Sequence, residues 1–200
     1  MAAAHGAAQK SARPMRADAR RNRDAILAAA RETFDEEGVL ASIDGIALRA
    51  GVGNATLYRN FPTRDDLLAA VMEANTETAL AEAEELSRSL TPREALAEWL
   101  FRLTWQMRIW HDLPYCISTA RVDSASPMNE ACNPLLTQTA TLLDAAKSTG
   151  DAIESITAGE IFELVTALSW GVDRFGDDIE AARRRVAVAT AGIFTSDSAG

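Results

Sequence analysis

An all-α fold is predicted for this chain, on three observations. Apolar residues recur at spacings of three and four through most of its length, as on one face of a helix. Capping residues punctuate those runs at helix-like intervals. No stretch shows the period-two alternation of a half-buried strand.

The elements follow in order. Residues 1–17 are Ala, Gly, Ser, Pro and basic residues without apolar periodicity, and are expected to form a flexible basic arm. From Asp18 the pattern turns helical: Leu27, Ala30 and Phe34 share a face, and Gly38 suits the C-terminal cap. Ser42 caps a short helix through Ile43, Ile46, Ala47 and Ala50. Gly51-Val52-Gly53 breaks it, and a further short helix carries Leu57 and Phe61 inward before Pro62 stops it. Thr63-Arg64-Asp65-Asp66 reads as a cap and first-turn acids opening a helix to about Leu86. Thr91-Pro92-Arg93-Glu94 is a stronger start: Thr caps, Pro suits the first position, and Glu reaches back to the cap.

The helix that follows, expected over Thr91–His111, is apolar on adjoining faces and belongs in the middle of a bundle. A short helix with loops is expected over 112–127, and a longer one from Met128 to Lys147 that Pro134 limits or kinks. Two final helices are expected at about 158–174 and 177–195. Ile161, Leu164, Val165, Leu168 and Val172 line the first; Ile179, Ala182, Val186, Ala189 and Ile193 line the second.

Charge distribution narrows the class of function. The net charge of −9 argues against nucleic acid as a mean, but residues 1–64 carry +3 and the remainder −12. A basic head on an acidic body suits a protein whose N-terminal part alone meets phosphate. No apolar run approaches a membrane span, and the first residues lack the apolar region of a signal peptide, so a cytoplasmic protein is expected. Cys116 and Cys132 make neither a disulfide framework nor a metal site, and read as reduced thiols. His5 lies in the arm, and His111 and Cys116 are too poorly spaced for one helical face. No phosphate-cradling Gly loop and no paired His occur, so neither an enzyme nor a cofactor nor a metal is expected.

The segment Ser42–Asp66 carries the functional reading. Two short helices about a tight Gly turn hold the second steeply across the first, as in helix-turn-helix motifs; the other reading is a purely structural hairpin. With Leu57 and Phe61 facing inward, Asn54, Ala55, Thr56, Tyr58, Arg59 and Asn60 form a surface of small and hydrogen-bonding side chains. A merely solvated helix would favour Glu and Lys there.

The segment resembles the DNA-binding motif of the tetracycline-repressor (TetR) family, through Ile46-Ala47, Ala50-Gly51-Val52, Thr56-Leu57-Tyr58, Phe61 and Arg64. The preceding helix, with Ile26-Leu27, Ala29-Ala30, Phe34 and Gly38, also matches, so the resemblance covers about residues 20–72. It implies a three-helix DNA-binding domain over 18–64 and an α-helical ligand-binding and dimerisation domain over 65–200. Implied partners are a double-stranded, palindromic DNA operator, a second copy of the chain, and a small-molecule effector that releases a repressor. By position, Tyr58 and Arg64 are expected to grip phosphate, and Ser42 to cap the second helix where its N–H groups also meet phosphate. Asn54, Ala55, Thr56 and Arg59 fall where base edges are read, and Asn60 stands beside them. Gly53 replaces a more usual cap, so Asn54 either reads a base or takes over capping. Asp44 and Gly45 stand where some members carry groove-contacting residues; Asp44 is expected to point away from phosphate.

Three further readings stay open on sequence. Six Lys/Arg between Lys10 and Arg23 either follow the DNA or form a solvated tail. The last two helices match the pair that packs against a partner, or pack only within the chain. Trp99, Leu103, Trp105, Met107, Trp110, His111, Tyr115, Phe162 and Trp170 either line an effector pocket or serve as core. The competing overall reading is a helical protein-interaction adaptor without DNA binding.

Overall fold

Helix α1 (Ala12–Glu37) ends at Gly38, and the chain then makes two short helices, α2 (Ile43–Arg49) and α3 (Asn54–Asn60). The computed structural model describes residues 12–123 and 125–195, with side chains from residue 17 onward. Residues 1–11 of the expected arm lie outside the described residues, as does the tail beyond Thr195. Residues 12–17 are helical rather than arm-like: Pro14 falls in the first turn, where its missing N–H is not needed.

Three local devices build the head. Ser42 caps α2 by accepting from the Gly45 N–H at 3.3 Å. Gly51 takes φ +68° in the turn between α2 and α3, a conformation L side chains rarely adopt. Ile26, Ala30 and Phe34 of α1, Ile46 and Ala47 of α2, and Leu57 and Phe61 then close a common core. Arg23 lies over the Phe61 ring, 4.5 Å from its centre.

The body is a bundle of α4 (Arg64–Ser89), α5 (Pro92–Met107), α6 (Leu113–Val122), α7 (Pro127–Ser148), α8 (Ala158–Arg174) and α9 (Ile179–Thr190). Capping boxes open three of them, at Thr63/Asp66, Thr91/Glu94 and Thr157/Glu160. Helix α4 packs on α7, and α5 is surrounded by α4, α7, α8 and α9. Trp99 is buried there, its Nε1–H donating to Thr139 Oγ1 at 2.9 Å while the Thr139 hydroxyl donates to the Leu135 carbonyl. Pro134 sits inside α7, which continues through it.

Two helices end earlier than the sequence pattern implies. Helix α5 stops at Met107 rather than His111; the chain turns through Asp112, whose φ of 64° is left-handed and breaks the helix, and Pro114 fits the first turn of α6. Helix α9 runs only from Ile179 to Thr190, between the Asp178 cap and a 3-10 turn, Ala191–Ile193. Ile193 therefore turns into its own subunit and is buried rather than joining an outer stripe. Ala182 and Val186 are likewise internal. The C-terminal segment is pinned beside the α7–α8 loop by one isolated antiparallel bridge, Ala152 to Phe194.

The corner between α5 and α6 joins head to body. Trp110 Nε1–H donates to Asp35 of α1 at 2.6 Å and its ring meets Phe34 edge-on. The His111 carbonyl accepts from the Val39 N–H at 3.1 Å. Gly38, at φ +83°, passes so close that a Cβ would lie 3.0 Å from that of His111. On the other side His111 Nδ1 lies 2.9 Å from Asp173 Oδ2, and Arg174 donates to Asp112 at 2.8 Å. Asp112 itself takes a left-handed φ of 64°, a conformation usually left to Gly or Asn.

Candidate nucleic-acid interface and effector groove

Helix α3 divides sharply into an inner and an outer face. Leu57 is buried, whereas Asn54, Ala55, Tyr58 and Arg59 are exposed and Thr56 and Asn60 half-buried. Gly53 is the N-cap and contributes no side-chain bond, and Asn54 does not take over that duty. Its amide Nδ2–H instead donates to Asp44 Oδ1 at 2.8 Å, so Asp44 faces α3. Asn60 donates to the Thr56 carbonyl of its own helix at 2.8 Å, which occupies part of its hydrogen-bonding capacity. Arg64 donates to the Val39 carbonyl at 2.6 Å and so braces the head while keeping further N–H groups. Arg49, on α2, is held by Glu36 at 2.6 Å; this ion pair raises the Arg49 pKa and lowers that of Glu36.

The aromatic set expected around one pocket is split by the structure. Trp99, Leu103, Met107, Trp110 and Phe162 are core residues, with Trp99 and Trp110 each held by an indole N–H bond. The space bordered by Leu103, Met107, Trp110 and Met72 is about 30 Å³, the size of one water and too small for an effector. Trp105 is half-buried, stacked on Phe101 and covered by the Arg108 guanidinium at 3.3 Å. His111 belongs to the α5–α6 corner. Tyr115, Phe162 and Trp170 do come together, along an open groove of about 620 Å³ between α6 and α8. Ile117, Arg121 and Thr166 also line it.

A second face lies along α8 and α9. Ala167, Leu168, Gly171, Arg184, Arg185, Val188 and Ala189 border a shallow trough there, and Phe175 and Ile179 are exposed where α8 ends and α9 begins. Both cysteines are buried thiols; burial pushes Cys132 up to about 11 and raises Cys116, so the protonated form prevails at neutral pH.

A short helix pair about a Gly turn with a hydrogen-bonding outer face, carried on a helical body, defines the class of helix-turn-helix regulators. Comparison with known proteins agrees and is more specific. Residues 26–71 match the model of the tetR family of bacterial regulatory proteins, and residues 91–195 match that of the SbtR-like transcriptional-regulator C-terminal domain. An HTH-type transcriptional regulator of Staphylococcus aureus is 38% identical over 73 residues, which are 36% of this chain and 40% of that protein. The chain thus spans less than half the length of the curated relatives it matches. A TetR regulator from Streptomyces coelicolor is 29% identical with a TM-score of 0.56, covering 88% of this chain and 99% of that one. A TetR-family regulator from Rhodococcus shares the fold at 20% identity and a TM-score of 0.61, covering 88% and 100% of the two chains. The chain belongs to the TetR family of transcriptional regulators.

Proposed function

We propose that the protein is a homodimeric repressor that reads a palindromic operator through α3 and is released by a small molecule. Residues 18–64 act as the DNA-binding head and 65–200 as the effector and dimerisation body, working in the cytoplasm. The observation that carries this reading is the outer face of α3, where Ala55, Tyr58 and Arg59 stand free above a buried Leu57. Arg59 is the candidate reader of guanine, and Tyr58 with Arg64 the candidate phosphate grip. Dimerisation is assigned to the small-residue trough of α8 and α9. The effector site is assigned to the α6–α8 groove, which borders that trough at Ala167. An effector there acts only if it binds the DNA-incompetent dimer better than the competent one.

Selection of bound sequences from a random DNA pool tests the reading, and the expected product is a palindrome. On that operator Tyr58→Phe should weaken binding to all sequences alike. Arg59→Ala should cost ~1–3 kcal/mol of discrimination at one base position per half-site. Full retention of base preference by Arg59→Ala would remove α3 from the reading role.

A further inference from the structure

Arg121 stands in the last turn of α6, on the wall of the effector groove. Its side chain is 26% exposed, yet its Nε is fully buried and bonds to no described residue. The Glu163 carboxylate lies 4.0 Å from Nη2, beyond hydrogen-bond reach, and is itself 68% exposed. The Phe162 ring centre is 5.9 Å away, the limit of a useful cation–π contact. Most other arginines of the body are engaged: Arg102 and Arg183 by Glu98, Arg185 by Asp177, Arg174 by Asp112, Arg88 by Glu85, Arg93 by the Asp151 and Thr195 carbonyls. Arg184, without a side-chain bond among the described residues, lies on the other face along the α8–α9 trough. Arg108, whose Nε is also without an acceptor, is stacked on Trp105. The enclosed Arg121 Nε is out of a ligand's reach, but among the described residues the Arg121 Nη groups on the groove wall have no hydrogen-bonded acceptor, and an anion in the groove supplies one.

We propose that the groove binds a compact amphiphilic carboxylate, its head paired with Arg121 and its hydrocarbon or aromatic body laid against Ile117, Phe162 and Trp170. The fork of a guanidinium suits a carboxylate two-pronged. Among the described lining residues Arg121 is the only cation and Glu163 the only acid, and Glu163 is mostly exposed, so solvent screens its repulsion. This inference rests on the groove being the effector site. Isothermal titration of the full chain with phenylbutanoate and decanoate, against their neutral amides, tests it. The acids should bind about tenfold or more tightly than the amides. Arg121→Gln should erase that ratio while leaving amide binding in place, and Arg121→Lys should restore part of it. Equal binding of acid and amide to the unaltered protein, or a ratio that survives Arg121→Gln, overturns the proposed ligand class. Binding of neither overturns the groove itself as the effector site.

A different observation, on the DNA-facing side, carries a second inference. Asp44 of α2 accepts the Asn54 Nδ2–H bond at 2.8 Å between two exposed side chains. A carboxylate only accepts, so it selects the NH₂ end of the amide and fixes an orientation otherwise free to flip. The Asn54 carbonyl oxygen and remaining N–H are left side by side, the pattern that accepts from adenine N6 and donates to N7. We infer that Asp44 is a positioning residue that commits Asn54 to adenine. The variants Asp44→Ala, Asp44→Asn and Asp44→Glu separate this from a simple charge effect, measured as base preference among selected operators. Asp44→Ala and Asp44→Asn both remove a negative charge and should raise affinity for nonspecific DNA. Both should also lose the adenine preference, because alanine accepts nothing and an amide can meet either end of Asn54, whereas the acceptor-only Asp44→Glu should keep part of it. Retained adenine preference in Asp44→Ala or Asp44→Asn overturns the inference. A chain that binds no DNA at all would instead overturn the operator-binding function.

Discussion

Val188→Asp is expected to turn the proposed dimer into a monomer and to abolish operator binding at physiological concentration. Val188 is 79% exposed on the isolated subunit, so a carboxylate there is solvated and leaves the fold intact. In the assembly it would face the trough of Ala167, Leu168, Gly171 and Ala189, bordered also by Arg184 and Arg185. Arg184, one helical turn earlier, offers a counter-charge, but pairing a buried ion seldom repays the loss of its hydration, so the carboxylate still costs far more there than at the rim. One head gripping one half-site forfeits the gain of linked binding, a factor of about 10²–10⁴. Sedimentation and gel shift on the same sample measure both halves. A dimeric Val188→Asp would move the interface away from α8 and α9. Ile193→Asp would be a poor substitute, since Ile193 is buried in its own subunit and its loss attacks the fold.

The second large effect falls on Trp110. Trp110→Ala removes a buried ring that meets Phe34 edge-on and takes away the N–H that Asp35 accepts. The cost should be about 3–5 kcal/mol. For a chain of this size that lowers the thermal midpoint by about 6–20 °C. Trp110→Phe keeps most of the packing and should cost about 1 kcal/mol through the lost hydrogen bond. Circular-dichroism melts distinguish these outcomes. Unchanged melting of Trp110→Ala would contradict its place in the core.

Features governed by neighbours in sequence are legible without the structure. Thr91-Pro92-Arg93-Glu94 begins a helix wherever it occurs, and the α8 limits follow from the apolar spacing of Ile161 to Val172. The inner face of α3 is readable because Leu57 and Phe61 are four apart. What escapes depends on partners distant in sequence. Nothing local says that the Trp99 indole N–H meets Thr139, forty residues on, and so turns a candidate pocket wall into core. The Tyr115–Phe162–Trp170 groove forms because α6 lies beside α8, which no periodicity encodes. The Gly53-Asn54 pair stands out in the sequence as a departure from the usual cap, but the bond from Asn54 to Asp44 crosses the Gly turn, and only the angle of that turn brings them together. Pro114 marks the first turn of α6, but the left-handed turn at Asp112 that separates it from α5 has no local signal, and the apolar stripe of α5 runs on to Trp110.

The α5–α6 corner has a thermodynamic consequence. Trp110 and His111 hold α1 and the residues after it, while His111 and Asp112 hold the end of α8 through Asp173 and Arg174. Three residues thus carry contacts to the head and to the helix that forms both groove and trough. Such a joint has no preferred direction. If a ligand in the groove lowers operator affinity by some factor, the operator must lower affinity for that ligand by the same factor. The complex on DNA is then the poorest receptor for its own effector, and free protein the best. The effector concentration needed for release therefore rises in step with operator affinity, so a tighter operator demands more ligand to clear it.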